Sequence, residues 1–204
     1  TIARRLNKSL FESGIGGLDI KTQIITRNDK IQHVIAAVPT LSDNTKDIEA
    51  YIKNILNGDY SLIVNGTGVY KSHSSIADCG VTGRKLAVDF YGGNEKVGGG
   101  SPWTKDGSKA DLTLNLLARN IAKKTAFELG EKVETSIACC IGKNDIFVST
   151  HILDCKNTLV EERIVSVSPK ELIKKFELDK PIYASMCKWG LFGEFQKDKN
   201  WEII

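Results

Sequence analysis

The 204-residue sequence has no apolar run of the length, about 20 residues, that a membrane-spanning helix requires. Its first residues, Thr1-Ile2-Ala3-Arg4-Arg5, are not followed by the apolar segment that a secretion signal carries. We therefore expect neither a membrane-spanning helix nor a secretion signal in this sequence.

Paired cysteine motifs and histidine clusters are also missing. The five cysteines are odd in number, none form a Cys-x-x-Cys motif, and the side chains of adjacent Cys139 and Cys140 would point to opposite faces of a strand. The three histidines have no metal-ligand spacing. This pattern predicts reduced thiols in a cytoplasmic protein rather than a disulfide framework or a histidine metal site.

Neither sign of charge dominates the sequence. Lysine and arginine number 28 against 25 acidic residues, and the two signs are interleaved along the chain. A nucleic-acid-binding protein would concentrate its basic residues in a patch, so we expect no nucleic-acid partner. The length and the hydrophobic content of 41% suffice for one large domain or two small ones in a soluble globular protein.

Apolar periodicity and turn residues predict two hairpins and several helices. Alternating residues at 20–26 and 31–38, with a turn at 27–30 between them, predict the first hairpin, and 133–141 with 145–152 predict the second. The predicted helices are 3–10, 45–56, 108–129 and one from the capping box at Ser168 to about 176, and further strands are predicted at 60–64, 85–90 and 181–184.

These elements repeat in the same order along the chain. A hairpin, a helix and a strand follow one another near 18–64 and again near 133–184. Because sheets of this kind bury one face under helices, the order predicts an α+β fold with two repeated sheet-plus-helix units.

Residues 78–111 carry the candidate chemistry. Eight glycines lie between Gly80 and Gly107, and glycine lets the backbone approach a ligand closely and adopt positive φ. Glycine-rich turns ahead of a helix present N–H groups to phosphate. Asp111 is suited to a divalent metal, because Mg²⁺ prefers few carboxylates together with phosphate and water. With the positive charges of Arg84, Lys85, Lys105 and Lys109, the segment indicates a polyphosphate site.

The same residues also have a purely structural interpretation. Ser108-x-x-Asp111 is a capping-box pattern, so Asp111 would then only cap the following helix. Lys105 and Lys109 would be solvated loop charges, and the glycines ordinary turns. The segment contains neither the G-x-x-x-x-G-K-[ST] phosphate loop nor the G-x-G-x-x-G dinucleotide motif. The residues by themselves therefore leave both interpretations open.

The order of motifs resembles that of S-adenosylmethionine synthetases. The resemblance covers nearly the whole chain in sequence order and corresponds to the carboxy-terminal half of that family. The motifs that carry it are Asp19-Ile20-Lys21-Thr22-Gln23, Gly80-Val81-Thr82-Gly83-Arg84-Lys85, Asp89-Phe90-Tyr91-Gly92-Gly93, Gly98-Gly99-Gly100, Lys105-Asp106-Gly107-Ser108-Lys109-Ala110-Asp111, Ala118-Arg119-Asn120-Ile121-Ala122-Lys123, Pro181-Ile182-Tyr183, Trp189-Gly190-Leu191-Phe192-Gly193 and Trp201-Glu202.

The resemblance implies a fold of three similar α+β units around a pseudo-threefold axis. Residues 1–66 would be the later part of the central region, and 67–204 the carboxy-terminal region. The implied reaction joins L-methionine to ATP: the methionine sulfur attacks the ribose C5′ and expels the triphosphate, which is then cleaved to phosphate and pyrophosphate. A thioether is a neutral nucleophile, so catalysis would rest on positioning and on stabilising the leaving charge.

The resemblance also implies roles for single residues. Asp111 would hold Mg²⁺, and Asp78 and Lys109 would hold the amino and carboxylate groups of methionine. Tyr70 would stack on adenine and Ile146 would contact adenine through its backbone, although plain core packing explains these two nearly as well. The residues that would contact the triphosphate are Lys21, Arg84, Lys85 and Lys105.

The sequence departs from the family pattern at three places. An arginine of the family is replaced by Val69, next to Tyr70, and a Gly-Gly-Pro stretch is replaced by Ser72-His73-Ser74. After the triple glycine, Ser101-Pro102-Trp103-Thr104 replaces a small, flexible stretch. This last change bears on the monovalent-cation site, for K⁺, that the resemblance implies.

The family's first half carries a metal-binding aspartate, a catalytic histidine, methionine-binding acids and a lid loop, and its active site lies between two subunits. The resemblance therefore implies a hetero-oligomer with a chain that supplies the amino-terminal half, acting on ATP and L-methionine. Two alternatives stay open: a non-catalytic stabilising or regulatory subunit, and a fragment of a full-length synthetase.

Overall fold

The chain consists of two compact units, Thr1–Gly80 (unit 1) and Val81–Ile204 (unit 2). The structure, a computed structural model, describes residues 1–81, 83, 85–92 and 96–204 and, of Val88 and Phe90, the backbone alone. Each unit has its own three-stranded sheet and its own apolar core. This confirms the predicted α+β class. The assignment of 1–66 and 67–204 to two regions of a synthetase stays a prediction.

Unit 1 is built on a sheet of order β1-β2-β3. Its elements are α1 (Ile2–Glu12), β1 (Lys21–Arg27), β2 (Lys30–Ala37), α2 (Thr45–Ile55), β3 (Ser61–Val64) and α3 (Ser74–Ala77). β1 and β2 form an antiparallel hairpin, and β3 is parallel to β2. Parallel pairing requires a crossover, which α2 supplies. Asn28 and Asp29 adopt the positive φ values, 49° and 59°, that a type I′ turn needs at both central residues.

The core of unit 1 lies between the helices and the sheet. Leu6 and Leu10 of α1 and Ile48 and Ile52 of α2 are almost completely buried. Each pair is separated by four residues and so occupies one face of its helix. Val34 of β2 belongs to the same cluster.

Unit 2 is built on an antiparallel sheet of order β4-β5-β6. Neighbouring strands in this sheet are also consecutive in sequence, so it is a meander with β5 in the centre. Its elements are α4 (Ala87–Tyr91), α5 (Ala110–Leu129), β4 (Val133–Cys139), β5 (Asp145–Ile152), β6 (Leu159–Ser166), α6 (Pro169–Lys175) and α7 (Tyr183–Trp189), with short 3₁₀ turns at Pro102–Thr104 and Glu194–Gln196.

The core of unit 2 is centred on α5. Leu112 and Leu116 of this helix are fully buried in one cluster with Trp103 and Trp201. The indole N–H of Trp201 donates to the carbonyl oxygen of Leu191 at 2.7 Å, so this ring is buried without an unpaired donor.

The carboxy-terminal tail of unit 2 is tied to α5 by a buried carboxylate. Glu202, whose side chain is 2% exposed, accepts two bonds from Arg119, at 2.9 and 3.0 Å, and one from Lys123 at 3.1 Å. The backbone N–H of Gly193 adds a fourth bond at 3.1 Å. Burial works against ionisation of Glu202, but these donors outweigh it and lower the pKa of the carboxyl.

Most predicted elements are confirmed. Both hairpins, the helix near 45–56 and the long helix ending at Leu129 are present within a few residues of their predicted bounds. At α6 the capping box is complete: the Ser168 hydroxyl accepts from the Glu171 N–H, and the Glu171 carboxylate accepts from the Ser168 N–H.

Two predicted strands are wrong. The segment 85–90 is not a strand, since α4 begins at Ala87, and a short apolar alternation does not distinguish the two structures. The segment 181–184 leads into α7, in which Met186 is fully buried and lies three residues after Tyr183. The helix α6 is therefore followed by the helix α7, whereas α2 in unit 1 is followed by the strand β3.

Among the residues that the structure describes, no helix combines the length and the apolar character needed to cross a membrane.

Candidate functional site

The start of α5 brings two predicted site residues together. Nζ of Lys105 forms an ion pair with Oδ2 of Asp111, which lies in the first turn of the helix. A carboxylate is favoured there because the amino-terminal end of a helix carries partial positive charge. The capping residue is Lys109, and no side chain caps the helix. The capping box considered for Ser108 and Asp111 is therefore not formed. The Asp111 carboxylate contacts Lys105 instead.

Gly99 of the triple glycine lies directly against Asp111. A Cβ atom added at Gly99 would come within 2.6 Å of the Asp111 Cβ, and the residue has a positive φ of 80°. Only glycine satisfies both conditions. The carbonyl oxygen of Gly99 accepts a bond from Nζ of Lys105 at 3.4 Å. The glycine loop 98–100, Lys105 and Asp111 thus form one cluster, which we call the α5 site.

The loop around the α5 site is anchored in the core. Ser101 and Trp103 are buried, and the Gly100 carbonyl oxygen accepts from the Ala87 N–H at 2.7 Å. Further along, the Gly107 N–H donates to the hydroxyl of Tyr183 at 3.2 Å, and this hydroxyl donates to the Leu178 carbonyl oxygen. The segment 101–104 is therefore anchored to the core of unit 2.

The other predicted cations of unit 2 lie in exposed positions. Lys85 and Lys109 are exposed, and Lys109 is adjacent to the start of α5. The prediction for Arg84 falls outside the described residues. Asp106, near Lys109, accepts bonds from Ser108, and these bonds lower the pKa of its carboxyl. Lys105, Lys109 and Asp111 are thus grouped around one helix end.

A cavity of about 460 Å³ lies between α5 and β4. Asp111 and Asn115 line it together with apolar side chains that include Leu114 and Ile137. Its volume falls in the range of small-molecule pockets, about 300–1,000 Å³. The α5 site therefore adjoins a space that a ligand could occupy.

The donor set of the α5 site fits Mg²⁺ held jointly with phosphate. Among the described residues no three His, Cys, Asp or Glu side chains are grouped so that they could hold a metal ion by themselves. Mg²⁺ commonly binds through one or two carboxylates with phosphate and water, so the single carboxylate of Asp111 is sufficient for that mode.

In unit 1, Asp19 joins two of the predicted site residues. Its carboxylate lies 3.9 Å from Nζ of Lys21 and accepts from the Ser74 N–H at 3.4 Å. Its carbonyl oxygen accepts from the hydroxyl of Tyr70 at 3.3 Å. Asp19 has a positive φ of 68°, a conformation that is uncommon for a residue other than glycine. Burial, followed by the Asp19 charge, raises the pKa of Tyr70.

The loop that carries Tyr70 is fixed by Asn65. The Asn65 amide accepts from the Val38 N–H at 2.8 Å and donates to the Val38 carbonyl oxygen at 3.0 Å. The Tyr70 carbonyl oxygen accepts from the Thr40 N–H at 3.1 Å. Tyr70 is half-buried.

The remaining predicted residues differ in exposure. Asp78 is exposed and directly follows α3. Its N–H donates to the carbonyl oxygen of Ser74, the first residue of that helix. Ile146 lies in the central strand β5, opposite Cys139 and Val165, and its side chain is 4% exposed within the core. Core packing accounts for the Ile146 side chain, and the backbone contact with adenine stays a prediction.

Sequence reasoning missed Asp19 and Tyr183 as residues that position others. Asp19 stands two residues before Lys21, and this spacing was the available signal. Tyr183 contacts Gly107 across 76 positions of the sequence, which no local pattern indicates.

Unit 2 thus combines an α+β fold with a lysine–carboxylate pair and a glycine loop at the start of one helix. Residues 73–203 match the family model described as S-adenosylmethionine synthetase, C-terminal domain. The chain belongs to the S-adenosylmethionine synthetase family, and this confirms the resemblance.

Individual relatives agree with the family match. The S-adenosylmethionine synthase of Salinispora tropica is 32% identical, over 97% of this chain and 49% of its own length. That of Lacticaseibacillus casei is 31% identical, over 91% of this chain and 54% of its own, and that of Mycoplasma capricolum is 34% identical, over 80% and 44%. The chain spans about half the length of the curated relatives it matches.

Proposed function

We propose that this chain is a subunit of a split S-adenosylmethionine synthetase. It forms S-adenosylmethionine from ATP and L-methionine, with release of phosphate and pyrophosphate. Its active site is shared with a partner chain that supplies the amino-terminal half, so the enzyme is a hetero-oligomer. Membership of the synthetase family supports the proposal.

The observation that carries the proposal is the α5 site. Lys105 and Asp111 neutralise each other there, beside a glycine carbonyl and an adjoining cavity. A purely structural ion pair has no need of the close approach that Gly99 provides. A lysine for phosphate and a carboxylate for the accompanying cation match the chemistry of a bound nucleoside triphosphate.

The proposed reaction needs stabilisation of a leaving group rather than a general base. The thioether sulfur is the nucleophile, and negative charge accumulates on the departing triphosphate. Lys85 and Lys105, with Arg84 and Lys21, stabilise this charge through their ammonium and guanidinium groups. Mg²⁺, held by Asp111, would supply further neutralisation of the phosphate oxygens when bound.

The remaining predicted residues bind methionine and adenine. Asp78 binds the methionine ammonium group and Lys109 binds its carboxylate, and both side chains are exposed and accessible to a substrate. Tyr70 stacks on the adenine ring, and the Ile146 backbone contacts adenine. The proposal assigns no residue of this chain to K⁺, because Ser101 and Trp103, in the replaced stretch, are buried. The five free thiols support a cytoplasmic location.

The test is S-adenosylmethionine formation from ATP, L-methionine and Mg²⁺. The chain is assayed alone, with an amino-terminal half taken from a full-length relative, and with that half alone. We expect product only in the mixture, together with co-elution of the two chains on size-exclusion chromatography.

Each other outcome has a definite meaning. Product from the chain alone would contradict the shared site. No product in the mixture, together with tight binding to an intact synthetase, would favour a regulatory subunit. The matched control is the mixture with Lys156→Glu, an exposed charge in a loop far along the chain from the α5 site, which should retain full activity.

A further inference from the structure

Asn115 lies one helical turn after Asp111 and is bonded to the glycine loop. Its Oδ1 accepts from the Gly98 N–H at 3.3 Å, and its Nδ2 donates to the Gly98 carbonyl oxygen at 3.0 Å. The same Nδ2 also donates to the carbonyl oxygen of Asp111. Both N–H groups of the amide and its oxygen are therefore engaged by backbone.

The pairing of one amide with both backbone groups of one residue also occurs in unit 1. Asn65 binds the N–H and the carbonyl of Val38 in the same way, at 2.8 and 3.0 Å. There it fixes the loop that leads to Tyr70. An asparagine amide can thus replace a neighbouring strand as the partner of a loop residue, and the chain uses it beside both groups of predicted site residues.

The contact at Gly98 determines where the next residue lies. Gly99 packs on Asp111 with no room for a side chain, and its carbonyl oxygen receives Lys105. Because the loop is held at Gly98, Gly99 stays against Asp111. Lys105 can then contact both the Gly99 carbonyl oxygen and the Asp111 carboxylate. Asn115 therefore controls the geometry of the α5 site without being one of the charged groups in it.

We propose that Asn115 is a positioning residue that holds the glycine loop on α5 in the geometry needed for a magnesium–triphosphate ligand. This inference rests on the proposed function, because it assigns a ligand to the α5 site. Asn115 would act through Gly98 and Asp111 and would not itself contact the triphosphate.

The amide chemistry makes the residue type specific. Aspartate has the same shape, but its second oxygen would face the carbonyl oxygens of Gly98 and Asp111, where two donated bonds now lie. Alanine would remove all three bonds. Either change releases the loop while leaving the buried face of α5, which includes Leu112 and Leu116, intact.

The experiment measures the loop and the ligand separately. Hydrogen exchange of the Gly98 amide is followed by NMR, and binding of inorganic tripolyphosphate with Mg²⁺ is measured by calorimetry on the mixture with the amino-terminal half. Both are done for the unaltered chain and for Asn115→Ala and Asn115→Asp. We expect exchange at Gly98 to become about tenfold faster and affinity to fall about tenfold in Asn115→Ala, the effect of losing about 1.4 kcal/mol of hydrogen bonding. Asn115→Asp should lose at least as much.

Asn120→Ala is the matched control on the same helix. The Asn120 amide donates to the Asn200 carbonyl oxygen in the tail, so this variant should lower the thermal midpoint. Its Gly98 exchange and its tripolyphosphate affinity should be unchanged. A merely structural role for Asn115 would give the same pattern as this control.

Three results would overturn the inference. Unchanged exchange at Gly98 in Asn115→Ala would show that the amide does not hold the loop. Faster exchange with unchanged affinity would show that the loop geometry does not matter for the ligand. Absence of tripolyphosphate binding by the mixture that contains the unaltered chain would refute the proposed site, and this inference with it. That result is distinct from the first two, because it appears without any substitution.

Discussion

At the residue scale, the two groups of predicted site residues are held together by a few hydrogen bonds and ion pairs. Asp19 and Asn115 were not identified as site residues from the sequence, because their contacts with Tyr70 and Gly98 join segments that are distant in sequence. By contrast, Lys105 and Asp111 could be identified, since their residue types and their place before a helix indicate phosphate and metal chemistry. Residue types were thus predictable, and the contacts that orient them were not.

Reversing the charge of Lys105 tests whether the α5 site takes part in catalysis. Lys105→Glu places two carboxylates side by side and removes a stabiliser of the leaving triphosphate. We expect turnover of the mixture with the amino-terminal half to fall about 10²- to 10³-fold, the usual effect of losing one such group. Initial rates at saturating ATP measure this. Full turnover in the variant, with Lys156→Glu as reference, would identify the chain as a scaffold.

The ionisation of Glu202 predicts a pH dependence of stability. Its folded pKa is below the ordinary value of 4.5, so its contribution to stability is present above that value and is lost as pH falls through the folded pKa. Glu202→Gln should therefore unfold more easily at neutral pH, and its stability should depend less on pH in the acid range. Urea unfolding followed by tryptophan fluorescence between about pH 3 and 6 measures both effects. Parallel curves for the two proteins would contradict the assignment.

At the scale of elements, prediction succeeded where local signals were complete. The capping box at Ser168 located α6, and the predicted turn at 27–30 located the first hairpin. Prediction failed at β6, because the alternation of apolar and polar residues that indicates a strand is interrupted at its centre by three charged residues, Glu161-Glu162-Arg163. Charged residues are common on edge strands, because they discourage pairing with other chains. It failed at α7 because four residues are too few to separate a strand from a helix.

The capping box of α6 predicts a measurable loss of stability. Ser168→Ala removes the oxygen that accepts from the Glu171 N–H and leaves the Glu171 carboxylate with one partner instead of two. We expect a loss of about 1 kcal/mol in the free energy of unfolding. Chemical denaturation of Ser168→Ala, Glu171→Ala and the double variant checks this. Because both residues act in one cap, the double variant should lose less than the sum.

At the scale of the whole molecule, the sequence predicted two sheet-plus-helix units, and the structure has them. The repeated order of hairpin and helix in the sequence indicated the two units, but it did not indicate how the third strand of each sheet is connected. In unit 1 the third strand returns after a helix, whereas in unit 2 it follows its neighbour directly. Connections of this kind depend on packing partners distant in sequence, which periodicity does not reveal.

All three tryptophans lie in unit 2, which provides a test of the two cores. Trp103 and Trp201 are buried and Trp189 is 45% exposed. Since unit 2 has its own core, residues 81–204 alone should fold and give the same emission maximum as the full chain. Fluorescence with and without denaturant measures this. A red-shifted spectrum of 81–204, equal to that of the denatured chain, would show that its core is not self-sufficient.

The Lys105–Asp111 pair makes the two ligands of the proposed site thermodynamically linked. A phosphate that takes Lys105 away from Asp111 leaves an uncompensated carboxylate, which then attracts a cation more strongly. A cation that engages Asp111 first releases Lys105 for an anion. By reciprocity, each ligand raises the affinity for the other by the same factor. The ion pair of the unliganded chain therefore discriminates against either ion alone and favours the complex of the two.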